Sequence, residues 1–180
     1  MEPKNLRNAV ESLVFASDGP LELSRLQRIL EVERDELEQA IAALAEEYAE
    51  RGIRLQRHGD SLQMVSAPET TPYLEKLLGV QQSVRLSRAA LETLAIVAYH
   101  QPITRPAIET VRGVNCDRAL SALQARGLIR EVGRLETAGR PILFGTTFEF
   151  LQYFGLESLD QLPPLEDGAT SIPGGASTNS

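Results

Sequence analysis

The stretch that decides the fold closes one helix and opens the next through a proline turn, and it reads SRAALETLAIVAYHQPITR at residues 87–105. Ser87 is placed to cap the first turn of a buried helix. Pro102 has no amide hydrogen and disfavours helical geometry at the preceding residue, so this helix should end near His100. Thr104 can then cap a short second helix. The apolar residues at helical spacing in the first helix are Leu91, Leu94, Ala95, Ala98 and Tyr99.

The residues that follow predict two more helices and a β-hairpin. Gly113 and Gly127 are placed to end the second and third helices. Residues 128–132 and 142–147 read as two strands, joined by a wing that is rich in glycine and charge. Three helices followed by such a hairpin predict a winged helix. The expected inward-facing residues of the second and third helices are Ile108, Val111, Leu120 and Leu123, and a closing helix over the hairpin carries Phe148, Phe150, Leu151 and Phe154.

The preceding part of the chain repeats this order of elements. Helical patterns at residues 5–17, 24–30 and 33–51 come before two alternating segments, residues 53–57 and 61–66, and a closing helix at residues 72–78. A shift of 82 residues superposes Pro20 on Pro102, Leu21 on Ile103, Leu26 on Ile108 and Ile29 on Val111. We therefore expect a mainly α protein with small β-hairpins, built as two tandem winged-helix domains.

The two predicted domains are residues 1–80 and 81–165, with a disordered tail at residues 166–180. Their charges differ. Residues 1–80 hold 9 basic and 15 acidic residues, residues 81–150 hold 9 and 6, and residues 151–180 hold none and 4. Such asymmetry suggests that the two domains meet different surfaces.

Several classes of function are not indicated by any pattern in the sequence. Cys116, His58 and His100 lie on separate segments without zinc-ligand spacing, and one cysteine forms no internal disulfide. There is no nucleophile elbow and no glycine loop for a phosphate, so we expect neither an enzyme, nor a cofactor, nor a metal site. No run of eighteen apolar residues and no signal peptide is present, which predicts a cytoplasmic protein.

Several short segments, in one fixed order, resemble a known family. They are LETLAIVAY at residues 91–99, QPITR at 101–105, RGV at 112–114, RGLI at 126–129, GRP at 139–141 and LPPL at 162–165. From Leu86 to Leu165 the chain resembles segregation and condensation protein B, the accessory subunit of the bacterial SMC-kleisin complex. His100 departs from the expected lysine, which removes a fixed charge from the turn.

The resemblance implies a non-enzymatic scaffold in chromosome condensation and segregation during cell division. Proteins of this family form homodimers through the first domain and bind the central segment of kleisin, which bridges the heads of the SMC ATPase. The expected location is the cytoplasm, in association with the nucleoid.

Two sets of residues are candidates for these contacts. We expect the second domain to present Arg112, Arg118, Arg140, Phe150 and Tyr153 to kleisin, because the domain is basic and has a surplus of aromatic residues. The expected dimerisation residues of the first domain are Leu6, Val10, Leu37 and Ile41. Core packing of such apolar stripes remains an alternative. Arg112 could instead hydrogen-bond the carbonyls at the end of its helix, and Arg140 could brace the wing.

Two other functions remain open at this point. A winged-helix transcription regulator would bind duplex DNA through its third helix and wing. Residues 33–50 of the first domain hold 7 acidic residues and one basic residue, which disfavours contact with phosphates. In the second domain Asp117, Glu131 and Glu136 interrupt a basic stripe, so we expect DNA contact to be weak or indirect. A general adaptor with unrelated partners is the other alternative.

Overall fold

A computed structural model of the chain describes residues 2–79 and 85–164. The chain divides into two compact units. The first unit comprises Met1–Ser83 together with Leu151–Gln161, and the second comprises Val84–Phe150 together with Leu162–Ser180. The second unit therefore differs from the predicted domain at residues 81–165, because the segment Leu151–Gln161 belongs to the first unit. The predicted tail at residues 166–180 and most of the predicted boundary at residues 79–85 lie outside the described residues.

In each unit the three helices and three strands of the winged helix follow one order: helix, strand, helix, helix, strand, strand. The elements before the boundary are α1 (Pro3–Phe15), β1 (Leu21–Glu22), α2 (Leu23–Leu30), α3 (Arg34–Tyr48), β2 (Ile53–His58), β3 (Ser61–Ser66), a 3₁₀ turn (Pro68–Thr70) and α4 (Thr71–Leu78). Those after it are α5 (Arg88–His100), β4 (Ile103–Thr104), α6 (Arg105–Arg112), α7 (Asp117–Ala125), β5 (Ile129–Arg134), β6 (Ile142–Thr146), α8 (Phe148–Phe154) and a second 3₁₀ turn (Leu159–Gln161).

Each unit has one three-stranded antiparallel sheet, in the order β1-β3-β2 or β4-β6-β5. The sequence patterns did not predict the strands β1 and β4, because two residues are too few to show alternation. Leu21 pairs with Leu62 in the first sheet, and Ile103 pairs with Phe144 in the second. The bounds of β1 and α2 coincide with those of β4 and α6 at the predicted shift of 82 residues. The prediction of two tandem winged helices is confirmed.

The core of the first unit lies between α1, α2, α3 and the sheet. Its buried residues include Leu6, Val10, Leu23, Leu26, Leu37, Ile41, Leu44, Leu55 and Leu62. The shift of 82 residues places Leu26 and Ile29 on Ile108 and Val111, which predicts that both face inward; Leu26 is buried, but half of the Ile29 surface is exposed. At about 100° per residue, Leu23, Leu26 and Leu30 share one stripe of α2, and Ile29 lies roughly a quarter turn away from it.

The core of the second unit begins on α5, whose caps agree with the prediction. The Ser87 side chain accepts a hydrogen bond from the Ala90 amide at 3.2 Å, and the Thr104 side chain accepts one from the Ala107 amide at 3.4 Å. The buried face of α5 is formed by Ala90, Thr93, Leu94, Val97 and Ala98. Leu91 and Ala95, which share the predicted helical spacing, are exposed instead. Their stripe is displaced from the one centred on Leu94 and Val97.

A buried polar contact joins the end of α5 to the sheet of the second unit. Gln101 Oε1 accepts hydrogen bonds from the Thr146 amide at 2.7 Å and from Thr146 Oγ1 at 2.9 Å. Gln101 Nε2 donates to the Ala98 carbonyl at 3.2 Å. Because Thr146 is fully buried, an unpaired donor there would cost about 1–3 kcal/mol. The side chain of Gln101 thus holds β6 against α5.

The free edge of β2 in the first unit is covered by the segment Leu151–Gln161. The Arg57 amide donates to the Glu157 carbonyl at 2.7 Å, and Gln56 Nε2 donates to the Leu156 carbonyl at 2.7 Å. The Arg54 guanidinium lies 3.2 Å from Glu157 Oε1. These bonds satisfy edge groups of β2 that would otherwise invite another strand.

Helices α2 and α6 end at equivalent positions, and these positions predict opposite effects of substitution. Glu31 has φ +53° and Gly113 has φ +69°, which is left-handed geometry that favours glycine. We expect Glu31→Gly to raise the free energy of unfolding by about 0.5–1 kcal/mol, and Gly113→Ala to lower it by about 1 kcal/mol. Urea unfolding followed by circular dichroism measures both. If Glu31→Gly lowers the free energy of unfolding, the left-handed backbone at Glu31 does not destabilise the fold as we expect.

Candidate protein-interaction surfaces

The four residues predicted for dimerisation lie inside the first unit. Leu6 and Ile41 are 5% exposed, and Val10 and Leu37 are fully buried. All four belong to the core formed by α1, α2, α3 and the sheet. Their side chains are therefore enclosed by their own unit, and the structure favours the core-packing alternative for them.

A different part of the first unit exposes large apolar side chains. Helix α4 has no buried residue, and Tyr73, Leu77 and Leu78 are 72%, 79% and 69% exposed. Tyr73 and Leu77 are four residues apart and share one side of the helix. We call these three residues the α4 face. Clusters of exposed apolar side chains commonly mark interaction sites. The segment TPYLEKLL carries this signal, although its helical pattern alone predicts only a closing helix.

The five residues predicted to bind a partner do not form one site. The Arg112 side chain is 9% exposed, and its Nη2 donates to Glu92 Oε2 at 3.2 Å. Phe150 is 2% exposed and lies in the core. Tyr153 is 41% exposed, but it belongs to the first unit, where its ring meets that of Phe154 edge to face at 5.1 Å. Arg118 is exposed on the first turn of α7. Arg140 lies in the wing.

Arg112 contributes to an ion-pair network on the surface of the second unit. Hydrogen bonds from Arg88 and then from Arg112 lower the pKa of Glu92 below its usual range. Since Arg112 is the enclosed member of this set, its guanidinium braces α6 against α5. This structural role differs from the predicted alternative, in which Arg112 hydrogen-bonds the carbonyls at the end of its own helix.

The wing holds Arg140 in an uncommon backbone conformation. Its φ is +39°, in the left-handed region that costs a non-glycine residue about 1–2 kcal/mol. Arg140 Nη2 donates to Glu136 Oε1 at 2.7 Å, and the Arg140 carbonyl accepts a hydrogen bond from Arg134 Nη1 at 3.2 Å. These two bonds fix the wing tip in one shape.

A groove with a volume of about 330 Å³ lies between α7 and the wing, and we call it the α7–wing groove. Leu120, Ile142 and Phe144 contribute apolar lining, and Leu120 and Phe144 are buried. The charged lining residues are Arg105, Arg134, Arg140 and Asp117. Arg105 is hydrogen-bonded to Asp117, which raises the pKa of the guanidinium. Hydrogen bonds from Asn115 and then from Arg105 lower the pKa of Asp117.

Chemical features other than these surfaces are few in the part of the chain that the structure describes. Over residues 2–79 and 85–164, no three His, Cys, Asp or Glu side chains form a group that could hold a metal ion. Within the same ranges, every helix is too short or too polar to span a bilayer. Cys116 is 1% exposed, and burial, followed by the charges of Glu109 and Asp117, raises the pKa of its thiol.

A model of the family described as "Segregation and condensation complex subunit ScpB" matches residues 8–165. The chain belongs to the ScpB family. Two relatives called segregation and condensation protein B agree with this. The protein of Geobacillus thermodenitrificans is 50% identical over 163 residues, which is 89% of this chain and 78% of the relative. That of Moorella thermoacetica is 48% identical over 169 residues, covering 93% of this chain and 86% of the relative.

Two crystal structures of ScpB proteins are also similar. ScpB from Mycobacterium tuberculosis is 37% identical, with 87% of this chain and 98% of that chain covered and a TM-score of 0.42. A dimer of an ScpB N-terminal domain complexed with an ScpA peptide is 36% identical, with 41% of this chain and 95% of that chain covered and a TM-score of 0.39. The family assignment follows from the family model and the curated relatives, and it confirms the resemblance seen in the sequence.

The contrast between Arg112 and Arg118 can be tested by stability. Arg112→Ala removes an enclosed guanidinium and its ion pair, so we expect the free energy of unfolding to fall by about 1–2 kcal/mol. The matched variant Arg118→Ala changes an exposed side chain and should stay within about 0.5 kcal/mol of the original. Urea unfolding of both variants makes the comparison. If the two variants change the free energy of unfolding equally, the burial of Arg112 does not contribute to stability.

The thiol of Cys116 should be unreactive in the folded chain. Burial and the raised pKa both disfavour the thiolate, which is the reactive form. We expect a disulfide reagent at pH 8 to modify Cys116 at least about a hundredfold more slowly in buffer than in denaturing urea. Rapid modification of the folded chain would contradict this burial.

Proposed function

We propose that this chain is a non-enzymatic scaffold subunit of an SMC-kleisin complex, and that it acts as a homodimer which binds kleisin. The family supplies the biological process, chromosome segregation and condensation. The observation that carries the scaffold proposal is the α4 face. Three large apolar side chains on one short helix are 69% to 79% exposed, which gives the first unit an exposed hydrophobic surface among the residues that the structure describes.

The occupant that we propose for the α4 face is the α4 face of a second copy. A twofold axis brings the same patch of each copy together, so one helix suffices to form a self-complementary contact. Burial of Tyr73, Leu77 and Leu78 against their counterparts would remove apolar surface on both copies. This surface replaces Leu6, Val10, Leu37 and Ile41, whose side chains are enclosed in the core. Dimerisation through the first unit is retained.

A dimer can raise the affinity for kleisin without any chemistry of its own. Two copies of one binding surface on a dimer can engage a single extended segment, and the second contact is then intramolecular. Binding would shape the central segment of kleisin and so influence the SMC ATPase on another chain. The place of action is the cytoplasm, in association with the nucleoid.

DNA binding by α3 is disfavoured by the charges on that helix. α3 holds the position that contacts the major groove in DNA-binding winged helices. Asp35, Glu36 and Glu46 are exposed on it, and Arg34, its one cation, is hydrogen-bonded to Glu38 and Asp60. Such a surface repels phosphates. A transcription regulator is therefore not our proposal.

The α4 face predicts that one charge will break the dimer. Leu77→Glu places a carboxylate in an apolar contact, and we expect the dissociation constant of the dimer to rise at least about a hundredfold. Ile29→Glu is the matched control, because Ile29 is a half-exposed apolar residue on α2 of the same unit. Light scattering during size-exclusion chromatography gives the mass of each variant.

The two variants separate the possible results. A monomeric Leu77→Glu chain beside a dimeric Ile29→Glu chain supports the α4 contact. If Leu77→Glu remains a dimer, the contact lies elsewhere on the unit. If the unchanged chain is a monomer and takes up no kleisin, the scaffold proposal is wrong.

A further inference from the structure

We infer that the α7–wing groove binds an extended segment of kleisin in which an apolar side chain is flanked by aspartate or glutamate. This inference rests on the proposed function and names the chemistry of the segment that the second unit recognises. It follows from three observations on the described residues: the unequal charges of the lining, the apolar lining beside them, and the fixed geometry of the wing.

The charges of the lining favour an anionic partner. Arg105, Arg134 and Arg140 face a single lining carboxylate, that of Asp117. Asp117 is already hydrogen-bonded to Arg105 and Asn115, and Glu136 is hydrogen-bonded to Arg140. Arg134 differs from the other two arginines, because its Nη1 donates to a neutral acceptor, the Arg140 carbonyl. Arg134 is therefore the cation that a carboxylate of the partner can pair with most directly.

The apolar part of the lining adds a second requirement. Leu120 and Phe144 are only 3% and 6% exposed, so the accessible apolar lining beside the arginines comes mainly from the half-buried Ile142 and Pro141 and the exposed Pro106. The volume of about 330 Å³ is at the small end of the range of ligand pockets, which suits a few side chains of an extended segment rather than a folded element. An apolar anchor next to acidic residues satisfies both parts of the groove.

The wing is prepared for such a contact before the partner arrives. Arg140 is held at φ +39° by its bonds to Glu136 and Arg134. A strained conformation persists only where surrounding contacts impose it, and it commonly marks a functional residue. A fixed wing also reduces the entropy lost on binding.

A polypeptide fits this groove better than a nucleic acid does. The carboxylates of Asp117 and Glu136 accompany the arginines, so a chain of phosphates would meet both signs of charge. Nucleic-acid binding relies on several uncompensated cations, and a phosphate backbone makes no use of apolar lining such as Ile142 and Pro141. A peptide with one or two carboxylates and an apolar anchor needs fewer free cations, and it can use both Arg134 and the apolar lining.

Charge reversal at Arg134 tests the inference. The full chain and the purified kleisin subunit of the same organism are titrated by isothermal calorimetry, and we expect Arg134→Glu to weaken binding about tenfold or more. Arg88→Glu is the matched control, since the Arg88 side chain is 94% exposed on α5 of the same unit and lies outside the groove. The control should change affinity less than about threefold. Circular dichroism shows whether each variant is folded.

A crosslink identifies the segment directly. A photoreactive benzoylphenylalanine replaces Ser121, an exposed residue of the groove lining, and the kleisin peptide attached to it is sequenced by mass spectrometry. We expect a segment with an apolar residue flanked by Asp or Glu. Crosslinks to a segment without acidic residues would overturn the inference.

The remaining outcomes separate this inference from the proposed function. If kleisin binds the unchanged chain and Arg134→Glu equally, the groove inference fails while the scaffold proposal stands. If the unchanged chain takes up no kleisin, both fail. A short DNA duplex provides the last comparison at physiological salt. If the unchanged chain binds the duplex, and Arg134→Glu abolishes this binding without changing the affinity for kleisin, the groove is a nucleic-acid site and the inference is wrong.

Discussion

A two-residue strand between the first two helices of each unit holds the helices to the hairpin, and the rest of each unit depends on it. Leu21 and Glu22 pair with Leu62 and Ser61 in the first unit, and Ile103 and Thr104 pair with Phe144 and Leu143 in the second. An isolated two-stranded hairpin is marginally stable in water, whereas a third strand and a packed face stabilise it. Because this strand lies in the turn after the first helix, its pairing fixes the hairpin relative to all three helices.

In the second unit this constraint also produces the groove. The pairing of β4 with β6 places Phe144 beside the helices, and Gln101 fixes the end of β6 through Thr146. The wing that precedes β6 is then held opposite α7, and Ile142 and Phe144 form lining of the space between them. The groove is thus a consequence of how the sheet is attached to the helices.

The sequence predicts the local structure better than the surfaces. Ser87, Pro102 and Thr104 act through geometry within a few residues, and the helix ends that they predict are present. Periodicity shows that a helix has an apolar side, but it does not show whether that side packs in its own core or against another chain. For this reason Leu6 and Val10 were assigned to an interface, although they are core residues.

Contacts between distant residues account for the other differences. The burial of Arg112 depends on Glu92, twenty positions away on another helix, and no pattern near Arg112 predicts this pair. The exposure of the α4 face depends on what the first unit leaves uncovered. The sequence nevertheless contains a local indication of this face, because three large apolar residues, Tyr73, Leu77 and Leu78, occur within a helix of only eight residues.

The two winged helices also differ in how they use the space between the third helix and the hairpin. In the first unit, Glu38 of α3 accepts hydrogen bonds from Arg57 of β2 at 2.6 and 3.1 Å and from Arg34 at 2.8 Å, and the bonds from Arg57 are the main cause of its lowered pKa. These ion pairs tie α3 to its own hairpin. A group with a lowered pKa stabilises the fold above its ordinary pKa and loses that contribution as the pH falls through the lower value.

In the second unit, Arg134 of β5 donates from Nη1 to the Arg140 carbonyl of its own wing instead of to a carboxylate of the third helix. α7 is also shorter than α3, with 9 residues against 15. In the α7–wing groove, Arg105 of α6 is hydrogen-bonded to Asp117 of α7. In the first unit the hairpin residue Arg57 is paired with a carboxylate of its own third helix. In the second unit the hairpin residue Arg134 lies in the lining of the α7–wing groove. Repetition of the architecture preserves the core and its sheet, and divergence of a few charged side chains leaves Arg134 of the second copy beside a partly apolar groove.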